Sequence, residues 1–573
     1  MFKVLLCIPP DYDHNFPPLG TPALCAFLRQ RGIETIQVDL NLKYRDFLAG
    51  HISGESINLE EKRLLLKPVL KKFFAQRLRD RYYSHLLLRD SDGIHPYLPY
   101  DNNTNSSFYF TERLLSSPYL WRYLEDGGEN TFYQFYEEDD FLGFLKEEDI
   151  RLLGISVISP SQAIAALTLG LLVKKHLPHI HVSIGGQWAT LYRTALLQKK
   201  ELFRCFDSII VFEGETPLYK LAMALKGGRD ISIPNVILKD GEMNIEPNSK
   251  GEDLNLLPCP DFQGLPLDAY TGDDDGISLT FETSRGCYWS RCAYCVDLPL
   301  PKPSYRRKDP ELVVEDIKQL KQRYNVQHLL LSDPGVSPRQ MLEVSQGILN
   351  EGIEISWWCM ARLDNGFNRK IFELARKAGL KKINFGFESA SDHICQLLNK
   401  GNKKERSLRI IRDCSEAGIE VDLQTMLGLP QETFDDGLET VDFLVTHKEL
   451  ISHVTFNIYY LTPANFIYQE PERYGIEYEK DTQLPFRFFI PFKNVYGMSK
   501  DEAYLLEKIY YSLLRSPESQ RPSGVDGQTL SLSKDVCEGW LEFHLNQESC
   551  RMHYLHNKLT DEFLFMEEEE KDR

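Results

Sequence analysis

Short apolar runs alternate with amphipathic stretches over the first part of the chain. The run Val4–Ile8 precedes a helix-like stretch, Pro22–Arg31, and a second strand-like segment near Ile33–Val38, which together make a β-α-β beginning. The alternation resumes with the apolar run Leu152–Val157 and continues to about residue 225. Strands that alternate with helices predict a doubly wound, Rossmann-like α/β domain over residues 1–245.

The alternation is interrupted once and then starts again in a second series. Residues from about 45 to 145 are rich in aromatic and charged side chains and predict a partly helical insertion. Prolines punctuate the segment 257–262 and indicate a linker at about 246–275. Beyond it, six apolar runs separated by helical stretches predict a partial (β/α)6 barrel over 276–495. These runs are Ser278–Thr283, His328–Ser332, Ile355–Trp358, Lys382–Phe387, Glu420–Met426 and His453–Tyr460.

The last part of the chain, residues 496–573, gives a weaker pattern. It begins with a clear amphipathic helix at Lys500–Leu514 and is predicted to be mostly helical. The fold class expected from the whole pattern is therefore α/β, with two large domains and a small C-terminal region.

Four loops follow the carboxyl ends of the predicted N-terminal strands, and such loops line a ligand-binding crevice in doubly wound sheets. Glycines in them let the backbone approach a flat ligand or a phosphate closely, although a tight turn explains each glycine equally well. The first domain is thus predicted to bind a ligand. The loops are Pro9–Gly20, Ile158–Gln162, Gly185–Thr190 and Phe212–Thr216.

Composition narrows the class of protein. A chain of 573 residues with a net charge of −18 lacks the basic excess of nucleic-acid binders, so a nucleic acid is not expected as a partner. No run of about 18 uncharged apolar residues and no cleavable leader occur, which predicts a cytoplasmic protein without membrane contact. Twelve cysteines in such a protein indicate buried thiols and metal ligands rather than disulfides.

Three of the cysteines, Cys287, Cys292 and Cys295, cluster just after the first predicted barrel strand. Thiolates suit zinc and iron–sulfur clusters, but a structural zinc site wants four closed ligands. A cubane cluster on three cysteines leaves one iron open for a substrate or cofactor. A zinc knuckle with a distant fourth ligand and a coincidence of buried cysteines remain alternatives. The position at the carboxyl end of a barrel strand favours the catalytic cluster.

These residues resemble the radical S-adenosylmethionine (SAM) superfamily, whose cluster loop has the pattern C-x3-C-x2-C with an aromatic residue before the third cysteine. Tyr294 takes the aromatic place, while Tyr288–Arg291 lengthen the first gap to four residues. Further motifs match in the same order along the barrel. They are Phe385-Gly386-Phe387-Glu388-Ser389-Ala390, Leu397-Leu398-Asn399-Lys400-Gly401 and Met426-Leu427-Gly428-Leu429-Pro430-Gln431-Glu432-Thr433.

The resemblance implies a [4Fe-4S] cluster on the three cysteines that cleaves SAM reductively to methionine and a 5′-deoxyadenosyl radical, which abstracts hydrogen from substrate. It also implies an electron donor such as flavodoxin or ferredoxin. Tyr294, with Phe385 or Phe387, would shield the adenine and the cluster. A helix cap or a turn would explain each motif residue structurally. The implied SAM contacts are Tyr294, Asp333, Glu388, Ser389 and Gly428.

Four short motifs follow the N-terminal strands, and a fifth lies in the linker. They are Pro17-Pro18-Leu19-Gly20, Gly154-Ile155-Ser156-Val157 leading to Gln162, Ile184-Gly185-Gly186, Glu213-Gly214-Glu215-Thr216 and Leu257-Pro258-Cys259-Pro260-Asp261-Phe262. These motifs resemble the cobalamin-binding subgroup of radical SAM enzymes. The segment Asp11-Tyr12-Asp13-His14 is off the pattern that presents an axial histidine elsewhere. The subgroup generally lacks that pattern, so the resemblance implies cobalamin whose lower cobalt face has no histidine, and His14 is interpreted as a loop residue. The implied cobalamin contacts are Leu19, Gly20, Ser156, Gln162, Gly185, Gly186, Glu213 and Gly214.

Together the two resemblances imply a methyltransferase that acts on an unactivated carbon of a peptide or other natural product, in natural product biosynthesis. Radical oxidation, cyclisation or rearrangement with cobalamin is the alternative within the subgroup. A non-catalytic cobalamin or iron–sulfur sensor is the alternative from another class, and it would not need the SAM contacts. Residues at or near strand ends that would recognise a peptide or aromatic substrate are Trp357, Trp358, Arg362, Tyr459 and Tyr460.

Overall fold

The computed structural model describes most of the chain. The described residues are 2–13, 15–52, 106–128, 130–228, 232–239, 251–270, 276–296, 305–463, 465–479, 485–515, 531–537, 540–547, 550–557 and 562–567. The insertion segment 53–105 and His14 lie outside them, as do parts of the predicted linker, so the domain boundaries stay predictions. No helix among the described residues is both long and apolar enough to cross a membrane.

Six strands form the sheet of the N-terminal half: β1 (Lys3–Ile8), β2 (Glu34–Asp39), β3 (Ile150–Ser156), β4 (His181–Gly185), β5 (Ser208–Ile210) and β6 (Val236–Leu238). Their order is β2-β1-β3-β4-β5-β6, and every pair is parallel except β5 with β6. The chain order reverses between β1 and β3. In open α/β sheets the ligand-binding crevice lies outside the carboxyl ends of the strands at such a point.

Helices cover both faces of this sheet because its strand residues alternate between two apolar layers. Leu5 and Cys7 face one layer, while Val4 and Leu6 face the other. The described end of the predicted insertion belongs to the first layer through side chains such as Phe135. The helices are α1 (Gly20–Gln30), α2 (Leu40–Ile52), α3 (Ser106–Ser116), α4 (Leu120–Glu125), α5 (Thr131–Glu138), α6 (Phe141–Glu147), α7 (Ala163–His176), α8 (Gln187–Leu191), α9 (Arg193–Gln198) and α10 (Glu215–Gly227).

The second half is a six-stranded, wholly parallel sheet, so the predicted α/β class with parallel sheets is confirmed. Its strands are β7 (Ser278–Phe281), β10 (His328–Leu331), β11 (Ser356–Arg362), β12 (Leu380–Glu388), β13 (Glu420–Leu427) and β14 (His453–Ile458), and a short pair, β8 (Ser284–Arg285) and β9 (Arg306–Arg307), follows β7. The order is β14-β13-β12-β11-β10-β7, so β7 and β14 are the two edges and the barrel is partial.

The side chains of β12 show how the barrel separates its lumen from its helix layer. Phe385 and Phe387 are fully buried, and the ring of Phe387 stacks on Phe443 with centroids 4.9 Å apart. Both phenylalanines therefore belong to the core under the helices, which corrects the prediction that either one shields the adenine. The helices are α11 (Pro310–Tyr324), α12 (Pro338–Asn350), α13 (Arg369–Lys377), α14 (Asp392–Leu397), α15 (Lys404–Glu416), α16 (Phe434–Thr446), α17 (Phe466–Gln469) and α18 (Lys500–Arg515).

The C-terminal region differs from the prediction of a mostly helical structure. After α18 its described residues form four antiparallel strands in sequential order: β17 (Ser531–Cys537), β18 (Trp540–Gln547), β19 (Cys550–Asn557) and β20 (Glu562–Glu567). The predicted helix at Lys500–Leu514 is present. The alternation of apolar and polar residues beyond it has a period of two, which fits strands. A short antiparallel pair, β15 (Ile476–Glu477) and β16 (Lys493–Asn494), precedes α18.

A segment that follows the barrel ties the two halves together. Phe486 is 1% exposed and its ring stacks on Trp188 of the N-terminal half, with centroids 6.1 Å apart. The Phe488 N–H donates to the Glu112 carboxylate of α3 at 2.6 Å. Phe489 packs on Tyr460 at the end of β14, with centroids 4.9 Å apart. Residues 485–490 thus act as a strap between the two sheets.

The Glu112 contact predicts a pH dependence of stability. Burial raises the pKa of Glu112 from 4.5 to about 7, although the N–H groups of Phe488 and Phe489 lower it. The folded pKa lies above the unfolded one, so the contribution of this carboxyl is complete at acid pH and is lost as the pH rises through about 7. Between about pH 5 and pH 8, we expect the thermal midpoint of the wild type to fall more than that of Glu112→Gln.

Glu125 supplies the control for this prediction. It lies on α4, and its exposed carboxylate pairs with Arg204. Glu125→Gln removes a surface carboxylate of the same half and is expected to keep the wild-type pH profile. A Glu112→Gln profile that falls as steeply as the wild type would contradict the assignment.

Candidate active site

The three clustered cysteines lie on one loop whose stem is the strand pair β8 and β9. Cys292 is buried, and Cys287 and Cys295 are half-buried. The Cys295 N–H donates to the Cys292 carbonyl at 3.2 Å, so the last three residues form a tight turn. The four-residue gap contains Ser290 in the left-handed region at φ 47°, which turns the longer loop back toward Cys292.

Arg362, at the end of β11, holds the loop from the barrel side. Its guanidinium donates to the Cys292 Sγ at 3.6 Å and to the Lys400 carbonyl at 2.5 Å, and it lies 4.5 Å from the centroid of the Trp289 ring. The Trp289 indole N–H in turn donates to the Asn399 carbonyl at 2.7 Å. Gly401 has a φ of 81°, and a Cβ there would lie 2.7 Å from the Trp289 ring. The turn after α14 is thus shaped to receive the cysteine loop.

A buried ion pair lies beside the loop. The Lys400 Nζ is 2.7 Å from the Glu388 Oε1, and their side chains are only 7% and 9% exposed. Glu388 ends β12 in the left-handed region at φ 69°, which turns its carboxylate from the helix layer toward Lys400. Lys400 lies 5.7 Å from the centroid of the Tyr294 ring. Tyr294 and Glu388 therefore lie together around Lys400, and their contacts with SAM stay predictions.

Asp333 does not lie open to the barrel mouth. It is fully buried and accepts hydrogen bonds from the Thr283 N–H at 3.1 Å, the Thr283 hydroxyl at 2.8 Å and the Ser284 hydroxyl at 2.5 Å. Burial raises its pKa to about 6. All of these donors belong to the start of the cysteine loop. The predicted direct contact with SAM is thus corrected to a brace that fixes the end of β7.

Two other implied SAM contacts face the helix layer. Ser389 is 2% exposed, lies 3.2 Å from the Thr440 hydroxyl of α16, and accepts from the Ser391 N–H at 3.1 Å. Gly428 has a φ of 76°, and a Cβ there would lie 3.2 Å from the Ala503 Cβ of α18. Ser389 thus takes part in packing against α16, which corrects its predicted role as a ligand contact. The contact at Gly428 concerns only a Cβ, so the predicted approach of the Gly428 backbone to SAM stays a prediction.

Most of the residues predicted to recognise substrate belong to the core or to the strap and not to the barrel lumen. Trp357 is buried and its indole N–H donates to the Ala378 carbonyl at 3.0 Å, and Tyr459 is buried beside Phe492. These two residues belong to the core, and Tyr460 belongs to the strap contact described above. Arg362 is buried against the cysteine loop, so of this set only Trp358 is left for the lumen.

The barrel lumen is polar on its middle strands. The Lys382 Nζ lies 4.8 Å from the centroid of the Trp358 ring and 3.8 Å from the Asp422 carboxylate. Phe16, from the loop after β1, meets Trp358 edge-on with centroids 6.1 Å apart. The Asn384 Oδ1 is buried and has no hydrogen-bond partner. The lumen thus offers an aromatic wall, a charged pair and an amide acceptor.

A crevice lies at the switch point of the N-terminal sheet. It is a cavity of about 350 Å³ whose walls come from the loops after four strands and from the first two strands of the barrel. Every implied cobalamin contact except Gln162 lines it. The lining includes Leu19, Gly20, Ser156, Gly185, Gly186, Glu213, Gly214, Glu282, Arg285 and Ser332.

Gln162 supports the crevice without lining it. Its side-chain N–H donates to the Pro9 carbonyl at 2.7 Å, and its carbonyl accepts from the Ile158 N–H at 2.8 Å and the Ser159 N–H at 3.1 Å. It is fully buried. Its predicted contact with cobalamin is therefore corrected to a brace between two crevice loops.

Gly186 yields a prediction. Its φ of 97° suits glycine, and a Cβ would lie 2.4 Å from the Val157 carbonyl oxygen. We expect Gly186→Ala to destabilise the fold by about 1–3 kcal/mol and to reduce ligand binding in the crevice. Thermal unfolding and a cobalamin-binding titration check this.

Gly20→Ala is the matched control, because a Cβ at Gly20 would lie 3.5 Å from the Ser156 Oγ, an ordinary contact. It is expected to keep the wild-type unfolding midpoint. Equal midpoints for Gly186→Ala and Gly20→Ala would contradict the role of the φ at Gly186.

The cysteine loop has the donor set of an iron–sulfur cluster. No three His, Cys, Asp or Glu side chains in the described ranges are arranged to hold a single metal ion. A cubane binds each thiolate on a different iron, so its thiols need not converge on one point. The seven other cysteines with described side chains are buried and unbridged, and they lie apart from the loop in the sequence.

The fold and the site combine a partial β/α barrel, which carries a three-cysteine loop at its mouth, with a doubly wound domain that has a crevice at its switch point. Residues 281–444 match the model of the radical SAM superfamily, so this part of the chain is a radical SAM domain.

Curated relatives include proteins named as methyltransferases and cyclases. An uncharacterized methyltransferase of Pyrococcus horikoshii is 26% identical over 309 residues, which is 53% of this chain and 66% of the relative. The anaerobic magnesium-protoporphyrin IX monomethyl ester cyclase of Rubrivivax gelatinosus is 25% identical over 342 residues, 56% of this chain and 60% of the relative. The chain therefore spans less than two thirds of these two relatives.

Solved structures share the fold. The methyltransferase TsrM of Kitasatospora setae, with cobalamin and a [4Fe-4S] cluster bound, has a TM-score of 0.56 at 14% identity over 91% of this chain and 92% of its own. OxsB with aqua-cobalamin and SAM bound has a TM-score of 0.54 at 14% identity over 92% of this chain and 63% of its own. These likenesses support the predicted fold, and the family match supports the radical SAM part of the resemblance.

The sequence did not assign the residues that hold the loop. Lys400 was part of a recognised motif without a role, and Trp289 was only one of four residues in a longer gap. Lys400 stands between Asn399 and Gly401, so its neighbours in the sequence do not show that it is buried, although a buried lysine needs a counter-charge. Its partner is a glutamate on another element, which no local pattern identifies.

Proposed function

We propose that this chain is a cobalamin-dependent radical SAM enzyme that methylates an unactivated carbon of a peptide or other natural product. Cys287, Cys292 and Cys295 would hold a [4Fe-4S] cluster, and SAM would bind beside Tyr294 and the Glu388–Lys400 pair. Cobalamin would occupy the crevice lined by Gly20, Ser156, Gly185, Gly186 and Gly214. An external donor such as flavodoxin or ferredoxin would supply the electron.

One observation carries this proposal: the crevice and the cysteine loop share a wall. Arg285, two residues before Cys287, lines the same cavity as Gly20 and Gly186. A ligand in the crevice therefore lies against the stem of the loop. A methyl carrier and a radical source need to reach one substrate, and this shared wall supports a single active site between the two halves.

The cofactors would supply the methyl group and the radical, and the chain would supply alignment and exclusion of water. Burial raises the pKa of the Cys292 thiol, and the positive charges of Lys400 and Arg362 offset part of that rise, toward the thiolate that a cluster requires. Phe16 and Trp358 narrow the mouth with apolar surface. Side chains of both halves thus limit the access of solvent to the substrate.

The lumen supports a polar substrate with an extended or aromatic part. Lys382 and Asp422 offer one charge of each sign, and their side chains are 25% and 14% exposed. The unpartnered Asn384 Oδ1 accepts a hydrogen bond, and a peptide N–H is a donor of that kind. These groups match a peptide or an amide-bearing natural product.

The test starts from protein purified and reconstituted without oxygen in the presence of cobalamin. We expect about four irons per chain, cobalt retained with a corrin spectrum, and reductive formation of 5′-deoxyadenosine from SAM. Isotope-labelled SAM should then transfer its methyl group to a product. Protein that binds iron and cobalt but forms no 5′-deoxyadenosine would contradict the enzyme assignment and favour a non-catalytic cobalamin or iron–sulfur sensor.

A second function is favoured by the cyclase among the curated relatives. The same cofactors would then support oxidation or ring formation without methyl transfer. Mass spectrometry of the product separates the two functions, because the labelled methyl group appears in the product only in the first.

A further inference from the structure

A network of ion pairs fills the wall between the crevice and the cysteine loop. The guanidinium of Arg285 lies 2.6 Å from the Glu215 carboxylate and 2.6 Å from the Glu282 carboxylate. Glu213 pairs with Arg306 and lies 3.6 Å from Arg285. Glu213 and Glu215 belong to the N-terminal half, and the other three residues belong to the barrel half. The network therefore joins the two parts of the site.

Both arginines belong to the stem of the cysteine loop. Arg285 on β8 is paired with Arg306 on β9, and the loop between the two strands carries all three cysteines. The Glu213 carboxylate faces both guanidinium groups. One side chain of the N-terminal half thus contacts both strands from which the loop extends.

The other side of Glu213 is closed by a short backbone segment. The Glu252 N–H donates to the Glu213 Oε2 at 2.5 Å, and the Glu252 carboxylate accepts from the Thr216 N–H at 3.0 Å. Gly251 has a φ of 66°, and a Cβ there would lie 2.5 Å from the Arg306 Nη1. The lack of a side chain at Gly251 leaves room for the Arg306 guanidinium beside the backbone. The segment that contains Gly251 and Glu252 therefore helps to fix the geometry of the network.

Glu213 is also part of the crevice wall. It lines the cavity together with Gly214, Glu215 and Arg285. Its side chain is 20% exposed and that of Arg285 is 16% exposed, so little water competes for these groups. Hydrogen bonds between charged groups in such surroundings are strong and directional. A ligand that shifts the Glu213 carboxylate must therefore shift the arginines or break their bonds.

We propose that Glu213 is a positioning residue that couples occupancy of the crevice to the geometry of the cysteine loop. This inference rests on the proposed function, because it assumes that cobalamin binds in the crevice and that the cysteine loop holds a [4Fe-4S] cluster. Cobalamin in the crevice fixes the position of the Glu213 carboxylate. Arg285 and Arg306 transmit that position to the stem of the loop, so the spectrum and the midpoint potential of the cluster change.

The experiment compares Glu213→Gln with Glu343→Gln in reconstituted holoenzyme. Glu343 pairs with Arg307, the next residue on β9, but it lies on α12 and does not line the cavity. The readouts are the electron paramagnetic resonance spectrum and the midpoint potential of the cluster, each with and without hydroxocobalamin. Iron and cobalt contents are measured in every sample.

In wild type and Glu343→Gln, we expect hydroxocobalamin to change the spectrum and the potential. In Glu213→Gln we expect the change to fall several-fold although iron and cobalt stay bound, and Glu213→Asp should restore part of it. Gly251→Ala, which displaces Arg306 but changes no residue that lines the cavity, should show the same loss. It serves as the second variant if Glu213→Gln does not fold.

A cobalamin-dependent change of wild-type size in Glu213→Gln or, if that variant does not fold, in Gly251→Ala would overturn the inference. So would the lack of any such change in wild type that holds both cofactors. Wild type that retains no cobalt or no iron would instead overturn the proposed function, so the two failures are distinguishable.

Discussion

Cys292→Ala is expected to abolish both the iron–sulfur chromophore and the cleavage of SAM. Cys292 is the buried cysteine of the loop, and the guanidinium of Arg362 donates to its Sγ. Loss of one of three thiolates leaves a cubane with two ligands, and no other cysteine is clustered with the loop in the sequence. Visible absorption, iron content and 5′-deoxyadenosine formation measure the effect.

Cys414→Ala is the matched control, since Cys414 is a fully buried cysteine on α15. Its replacement removes one buried sulfur in the core and is expected to leave iron content and SAM cleavage at the wild-type level. Wild-type cleavage in Cys292→Ala would refute the ligand assignment.

Lys400→Met is expected to destabilise the protein by about 3–5 kcal/mol, because it leaves the Glu388 carboxylate buried without its partner. The two side chains are less than 10% exposed and 2.7 Å apart. SAM cleavage should fall as well, since this pair lies beside the cysteine loop. Chemical unfolding followed by circular dichroism measures the change in stability.

The double variant Lys400→Met/Glu388→Gln supplies the control. It removes both charges, so we expect it to recover much of the stability that Lys400→Met loses, without recovering activity. If the double variant is no more stable than Lys400→Met, the loss does not come from an uncompensated charge.

The repeating part of the fold follows from the sequence because strands and helices have different periods. The predicted helix Pro22–Arg31 is observed as Gly20–Gln30, and each of the six predicted barrel runs overlaps a strand. The C-terminal region was predicted wrongly. Its first element is a strongly amphipathic helix, and the weaker pattern beyond it was also interpreted as helical. Antiparallel strands depend on pairing between segments, which the pattern within one segment does not show.

The site was predictable only as far as its motifs are local. The cysteine loop and the glycines of the crevice are identified by neighbours along the chain. Asp333, Ser389 and Gln162 were expected to contact ligands, but each satisfies backbone or hydroxyl groups of another segment. Their partners are far away in the sequence, so a motif alone does not distinguish a ligand contact from a brace.

The contacts around the cysteine loop have a consequence for how the protein is assembled in the cell. Asp333 holds the start of the loop, and Trp289 and Arg362 join its middle to the turn after α14. All three anchors belong to hydrogen bonds with other parts of the barrel half. A substitution that loosens one of them would therefore impair assembly of the cluster even though all three cysteines remain in place.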